Sequence, residues 1–166
     1  FEDNAEFGFG MMTSTLIKRR NLATRVQRIL KDDSIPKSKE LCASLQTWLE
    51  NPRDADKCEA CYDNCVRLLA DEKKNHKELA LLEEVIDVMP KLTQWVIGGD
   101  GWAYDIGYGG VDHVLAQGED INILVLDTEM YANTGGQQSK ATQMSAVAKF
   151  AAGGKRLMKK DLGKHM

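Results

Sequence analysis

The spacing of apolar and polar positions changes near Pro90. Over residues 11–31, Met12, Leu16, Ala23, Val26 and Leu30 recur at three-, four- or seven-residue steps, with lysines and arginines between them. That period gives a helix one apolar face. Residues 38–50 repeat it with Leu41, Leu45 and Trp48, until Asn51-Pro52 breaks the pattern. Residues 55–71 and 77–89 continue it, the last with Leu79, Leu82 and Ile86. Residues 11–90 are therefore predicted to form four helices joined by short polar turns.

Beyond Pro90 the pattern predicts strand, loop, helix and strand. Gln94-Trp95-Val96-Ile97-Gly98 is a short apolar run ending in glycine. Residues 104–116 can form a helix, although Gly107, Gly109 and Gly110 each weaken it by up to ~1 kcal/mol relative to alanine. Residues 121–126 (INILVL) are continuously apolar, as expected of a strand buried on both faces of a parallel sheet. Residues 141–152 read as a further helix, which makes 91–154 a βαβα region. The fold class is α/β, a parallel sheet behind a mainly helical first half, in a single domain spanning 1–166. In open sheets of this kind, ligands bind beyond the carboxyl ends of the strands. Both strands end there in polar sequence, Gly99-Asp100-Gly101 and Asp127-Thr128-Glu129.

Composition narrows the function classes. The chain has 166 residues, 43% hydrophobic and 28% charged, with a formal net charge of −3. No basic stripe suggests a nucleic-acid partner. No run approaches the ~20 apolar residues of a membrane span. The first residue is Phe1, which predicts a piece of a longer reading frame, and no secretory pattern is present. A cytoplasmic protein is expected, with a hydrogenosome-like organelle as the alternative.

Chemistry is expected first at Gly98-Gly99-Asp100-Gly101. Glycines let the backbone approach a ligand closely, and Mg²⁺ takes one or two carboxylates together with substrate phosphates. Gly-Asp-Gly also makes ordinary turns, so a second feature must support it. That feature is the loop opened by Asp127-Thr128-Glu129-Met130-Tyr131-Ala132-Asn133, which offers a hydroxyl, a carboxamide and backbone carbonyls. Parallel neighbouring strands would set this loop beside Asp100, as the second side of a clamp.

These loops resemble the thiamine diphosphate motif. The longer stretches FEDNAEFGFGM, GGDGWAYDIGYGGVDHVLAQGEDINILVLDTEMYANTGGQQSKAT and AVAKFAAGGKRLMKKDLG are similar to pyruvate:ferredoxin (flavodoxin) oxidoreductases, over roughly half the chain. Two departures are visible. Thr128 stands where many members of the superfamily have Asn, and Gln143 stands where proline is expected. The resemblance implies that Asp100 and Thr128 ligate Mg²⁺ by side chain and Met130 by its carbonyl. It implies that Gly99, Asp100, Gly101 and Trp102 line the diphosphate, with Thr128, Glu129, Met130, Tyr131, Ala132 and Asn133 closing the other side. Asn133 would also act catalytically, facing the substrate. The implied activity is oxidative decarboxylation of pyruvate with coenzyme A to acetyl-CoA and CO₂. Electrons would leave through [4Fe–4S] clusters, whose ligands are not in this chain, to ferredoxin or flavodoxin. The implied assembly is a homodimer of the full-length enzyme. Its catalytic glutamate and substrate-binding arginine lie elsewhere in the family's sequence, so this chain alone is expected to be inactive.

Other readings stay open at this point. One is another thiamine-dependent 2-oxoacid oxidoreductase or a decarboxylase; another is a non-catalytic helical interaction module. Cys58, Cys61 and Cys65 fit a helix face continuing to Leu68 better than a metal site, because structural zinc and cubane clusters take four ligands. His113 reads as solvated or structural, and His165 as part of a frayed end. Lys155, Arg156, Lys159 and Lys160 read as a solvated charged face.

Overall fold

A computed structural model describes residues 4–166. The opening Phe1-Glu2-Asp3 of the family-like stretch lies outside the described residues. The elements are α1 (Ala5–Lys31), α2 (Lys39–Glu50), α3 (Ala55–Glu72), α4 (Lys77–Glu83), β1 (Gln94–Gly98), α5 (Asp100–Tyr104), α6 (Tyr108–Ala116), β2 (Ile121–Val125), β3 (Met130–Tyr131), β4 (Gln137–Gln138) and α7 (Leu162–His165). Two compact units result. Thr13–Leu92 forms one, and Thr93–Met166 with the chain up to Met12 forms the other.

In the helical unit, caps set the boundaries. Ser38 accepts from the Leu41 N–H at 3.1 Å to start α2, and Asp54 accepts from the Lys57 N–H at 3.0 Å to start α3. Leu22, Val26, Ile29, Leu41, Leu45, Trp48, Leu69, Leu79, Leu82 and Met89 fill the core. The expected thiol face is present: Cys58, Cys61 and Cys65 are buried among these residues and continue into Leu69, with Leu68 packed beside it. Among the described residues no group of three His, Cys, Asp or Glu side chains could hold a metal ion. The expected helix over 77–89 stops at Glu83 and resumes only as a 3-10 turn at Ile86–Val88. Arg19 gathers this end of the unit, donating to the carbonyls of Val88 (2.9 Å), Met89 (2.5 Å) and Pro90 (2.5 Å) and to that of Pro52 (3.0 Å).

In the other unit, β1 and β2 pair in parallel, from Gln94↔Ile121 to Gly98↔Val125. Val96, Ile121, Ile123 and Val125 pack on a core of Trp102, Ala103, Tyr104, Val111 and Val114. The opposite face is open: Trp95 and Ile97 are 53% and 56% exposed, and Leu124 is 41% exposed. The strand expected to be buried on both faces is therefore covered on one.

Two helices differ from expectation. The one over 104–116 is divided into α5 and α6, because Asp105 and Gly107 both donate to the Gly101 carbonyl, closing α5. Gly107 lies so close to Trp102 that a Cβ would sit 2.6 Å from its carbonyl oxygen. The helix over 141–152 does not form. Ser145 and Phe150 adopt left-handed backbone angles (φ 70° and 67°), and the Ser139, Lys140 and Thr142 carbonyls turn to the Lys155 ammonium instead. The basic cluster consequently is not a solvated face. Lys155 is buried, Lys159 pairs with Asp127, Lys160 sits 3.1 Å from the Tyr108 ring centroid, and Arg156 alone of the four is exposed.

Candidate functional site

The carboxyl ends of β1 and β2 carry the two polar segments, and parallel pairing sets them side by side. Leu126 N–H donates to the Gly98 carbonyl at 2.8 Å, extending the ladder to the first residue after β2. Just beyond it, Thr128 N–H donates to Asp100 Oδ1 at 3.0 Å. Asp100 Oδ2 accepts from the Ser139 hydroxyl, also at 3.0 Å. The Thr128 hydroxyl donates to the Met130 carbonyl at 2.9 Å, which places those two oxygens next to each other.

Asp100 is only 3% exposed. Burial pushes its carboxyl above the usual range, although the Ser139 and Thr128 hydrogen bonds pull the other way. Both of those partners are neutral donors. A buried carboxylate held by neutral donors gains from a cation, and the neighbouring hydroxyl and carbonyl are hard oxygen donors of the kind Mg²⁺ takes. The donor set fits that ion.

Beside these groups lies a cavity of about 390 Å³. Its walls are residues 97–102, Leu126, Thr128 and residues 130–134. Of the candidate residues, Gly99, Asp100, Gly101, Trp102, Thr128, Met130, Tyr131, Ala132 and Asn133 all line it. Trp102 is at once core and wall, because its ring packs where a Gly98 side chain would otherwise project. Glu129 does not line the cavity. Its backbone is left-handed (φ 64°), and its carboxylate accepts from Gln143 at 3.0 Å and lies 3.6 Å from Lys159. His113 is exposed on α6. A larger cavity of about 570 Å³ shares only Tyr131 with the candidate set and is lined by Asp105, Gln138, Lys140, Phe150 and Lys155 among others.

Residues outside the expected set complete the arrangement. Ser139 holds Asp100. Asp105 accepts from the Tyr131 hydroxyl at 2.8 Å and from Lys140 N–H at 3.2 Å. Asp127 accepts from the Tyr104 hydroxyl at 2.7 Å and from Lys159 at 2.5 Å. Burial raises the Asp127 carboxyl, but these two bonds, the Lys159 charge and the Glu129 N–H together hold the group below its usual range. Burial, then the Asp127 contact, pushes the Tyr104 hydroxyl up to about 12. Ser139 was visible in the sequence only as part of the polar stretch after β4; nothing in the spacing tied it to Asp100.

The sequence that builds this site, with its buried aspartate and oxygen-rich loop at the carboxyl edge of the sheet, is similar to known proteins. Residues 81–164, just over half the chain, match the thiamine pyrophosphate enzyme family at its C-terminal TPP binding domain, and the chain belongs to that family. Over 98% of its length it is also similar to pyruvate oxidoreductases. It is 50% identical over 168 residues to the pyruvate:ferredoxin oxidoreductase of Moorella thermoacetica, and 49% identical over 163 residues to the pyruvate-flavodoxin oxidoreductase of Klebsiella pneumoniae. The pyruvate dehydrogenase [NADP(+)] of Cryptosporidium parvum is 42% identical over 195 residues, again across 98% of this chain. The chain spans 14% of the length of the first two relatives and 10% of the third.

Proposed function

We propose that this chain supplies the metal–diphosphate side of a thiamine diphosphate site in a pyruvate:ferredoxin or pyruvate:flavodoxin oxidoreductase. The observation that carries the reading is the meeting of Asp100, the Thr128 hydroxyl and the Met130 carbonyl at the wall of one cavity. Asp100 and Thr128 would hold Mg²⁺ by side chain and Met130 by its carbonyl. The glycines on either side of Asp100 leave room for a diphosphate against the backbone. Tyr131, Ala132 and Asn133 close the cavity from the second loop, where the Asn133 carboxamide would orient the substrate by hydrogen bonding.

When bound, thiamine diphosphate supplies the carbanion chemistry that breaks the bond to the departing CO₂, and the protein supplies orientation and electrostatics. Here that contribution is a fixed carboxylate, two adjacent oxygens and a wall formed by Trp102. Pyruvate and coenzyme A as substrates, ferredoxin or flavodoxin as acceptor, [4Fe–4S] clusters held by other segments, a homodimer and a cytoplasmic setting belong to the same reading. So does inactivity of the chain by itself.

The test is a calorimetric titration of thiamine diphosphate into the chain with and without Mg²⁺, beside Asp100→Ala and Asp100→Asn. Binding should require the metal and weaken at least about tenfold in both variants, as for loss of a charged ligand. A folded protein that binds the cofactor equally well without Mg²⁺, or not at all, would overturn the assignment.

A further inference from the structure

Among the described residues Asp100 has two donors, and each can be followed outward to a different lysine of one short segment. The Ser139 hydroxyl, which donates to Oδ2, sits on a turn whose carbonyls converge on Lys155. The Lys155 ammonium donates to the Ser139 carbonyl at 3.0 Å, to that of Lys140 at 3.2 Å and to that of Thr142 at 2.6 Å. It is buried, and it accounts for three carbonyls that no helix satisfies. The Thr128 N–H, which donates to Oδ1 and also reaches the Leu126 carbonyl at 3.1 Å, lies between Asp127 and Glu129. Lys159 spans those two neighbours, 2.5 Å from Asp127 Oδ2 and 3.6 Å from Glu129 Oε1. Its side chain is only 25% exposed. Lys160 N–H ties the same segment to the Lys140 carbonyl at 2.9 Å.

We infer that residues 155–160 form a brace in which Lys155 and Lys159 are positioning residues for Asp100, each fixing one of the two donors that aim its carboxylate. Neither lysine lines the 390 Å³ cavity, so the brace acts through Ser139 and Thr128 and not by touching a ligand. The two arms are chemically different. Lys155 organises backbone carbonyls, which needs a single multi-donor ammonium on a flexible stem. Lys159 bridges two carboxylates that would otherwise repel each other across Thr128, offsetting one of their two charges, and an arginine could do the same. The significance of the brace for cofactor binding rests on the proposed metal–diphosphate reading; its existence does not.

The experiment therefore has a ligand-free arm. Residue-resolved amide exchange is measured on the full 166-residue chain, comparing wild type, Lys159→Met and Lys159→Arg. Thr128 N–H should exchange about tenfold faster in Lys159→Met, the loss of roughly one hydrogen bond's protection, and return to near the wild-type rate in Lys159→Arg. Amides of β1 and β2 should not change. Unchanged Thr128 exchange in a folded Lys159→Met, or a uniform rise across both strands, would overturn the Lys159 arm. For the other arm, Lys155→Met should accelerate exchange at Ala141 and Thr142, whose N–H groups belong to the same turn. If that variant does not fold, Ser139→Ala removes the Oδ2 donor directly. The second measurement is the Mg²⁺ dependence of thiamine diphosphate binding, expected to shift about tenfold to higher metal in Lys159→Met and in Ser139→Ala. If the wild type does not bind, the site reading fails and exchange alone judges the brace. If the wild type binds and neither variant shifts, the brace is overturned as a device for positioning Asp100.

Discussion

A thiol that cannot ionise is chemically quiet, and burial does this to Cys65. Desolvation, with a smaller contribution from Cys61, pushes it from 9.0 up to about 12, and Cys61 is also raised by burial. Because the folded value of Cys65 exceeds the unfolded one, the folded state keeps a proton that the unfolded chain releases. The stabilisation is complete below pH 9.0 and is lost progressively as pH rises toward about 12. The denaturation midpoint should therefore fall as pH is raised above about 9, and Cys65→Ala should be less stable at neutral pH but show a shallower alkaline decline. Urea titrations across that range, followed by circular dichroism, test this. In native protein at pH 8, Cys42 should react first with a thiol reagent, since it is partly exposed while the other three are buried.

Among the helices, Arg19 shows how one side chain can end an element. It takes the carbonyls of Val88, Met89 and Pro90, past the end of α4, together with that of Pro52, and the Met89 carbonyl also accepts from the Trp48 indole N–H at 3.0 Å. Its guanidinium also lies 5.6 Å from the centre of the Trp48 ring. Arg19→Met should cost roughly 2–3 kcal/mol, and Arg19→Lys should recover only part of it, because an ammonium lacks the planar fork. The helical signal in thermal unfolding would read both. Element by element, the sequence was legible where local chemistry and period agreed. The starts of α2 and α3 follow from Ser38 and Asp54, and β1 and β2 from their apolar runs. The start of α1 was missed because Gly8 and Gly10 hide the period. Asn4, which accepts from the Phe7 N–H at 2.9 Å, was its available signal. The helix over 141–152 was misread because Ala141, Ala148 and Ala151 have helical spacing, while the decisive partner, Lys155, competes for carbonyls from outside the window. The two loops of the site were legible as strand ends. Ser139 and the lysines behind them were not, since charge on a lysine says nothing about which backbone it will serve.

For the molecule as a whole, the open sheet face is the conspicuous departure from a sealed fold. Register places Trp95 opposite Asn122 and Ile97 opposite Leu124, so Trp95, Ile97 and Leu124 form one apolar surface while the other face packs on the core. Exposed contiguous apolar area of this kind drives association. Sedimentation velocity on the chain should show self-association that grows with concentration, and Trp95→Thr with Leu124→Thr should reduce it severalfold. Neither residue lines the candidate cavity, so a change in thiamine diphosphate binding is not expected from the pair. The same parallel pairing has a further result. Every group assigned to the site lies at the Gly98 and Val125 end, whereas the exposed turn over residues 117–120 enters β2 at Ile121. Five strand residues, about 16 Å of extended backbone, separate the two ends. That turn is consequently where a fluorophore, an affinity handle or a short inserted peptide can be attached while leaving the cavity undisturbed.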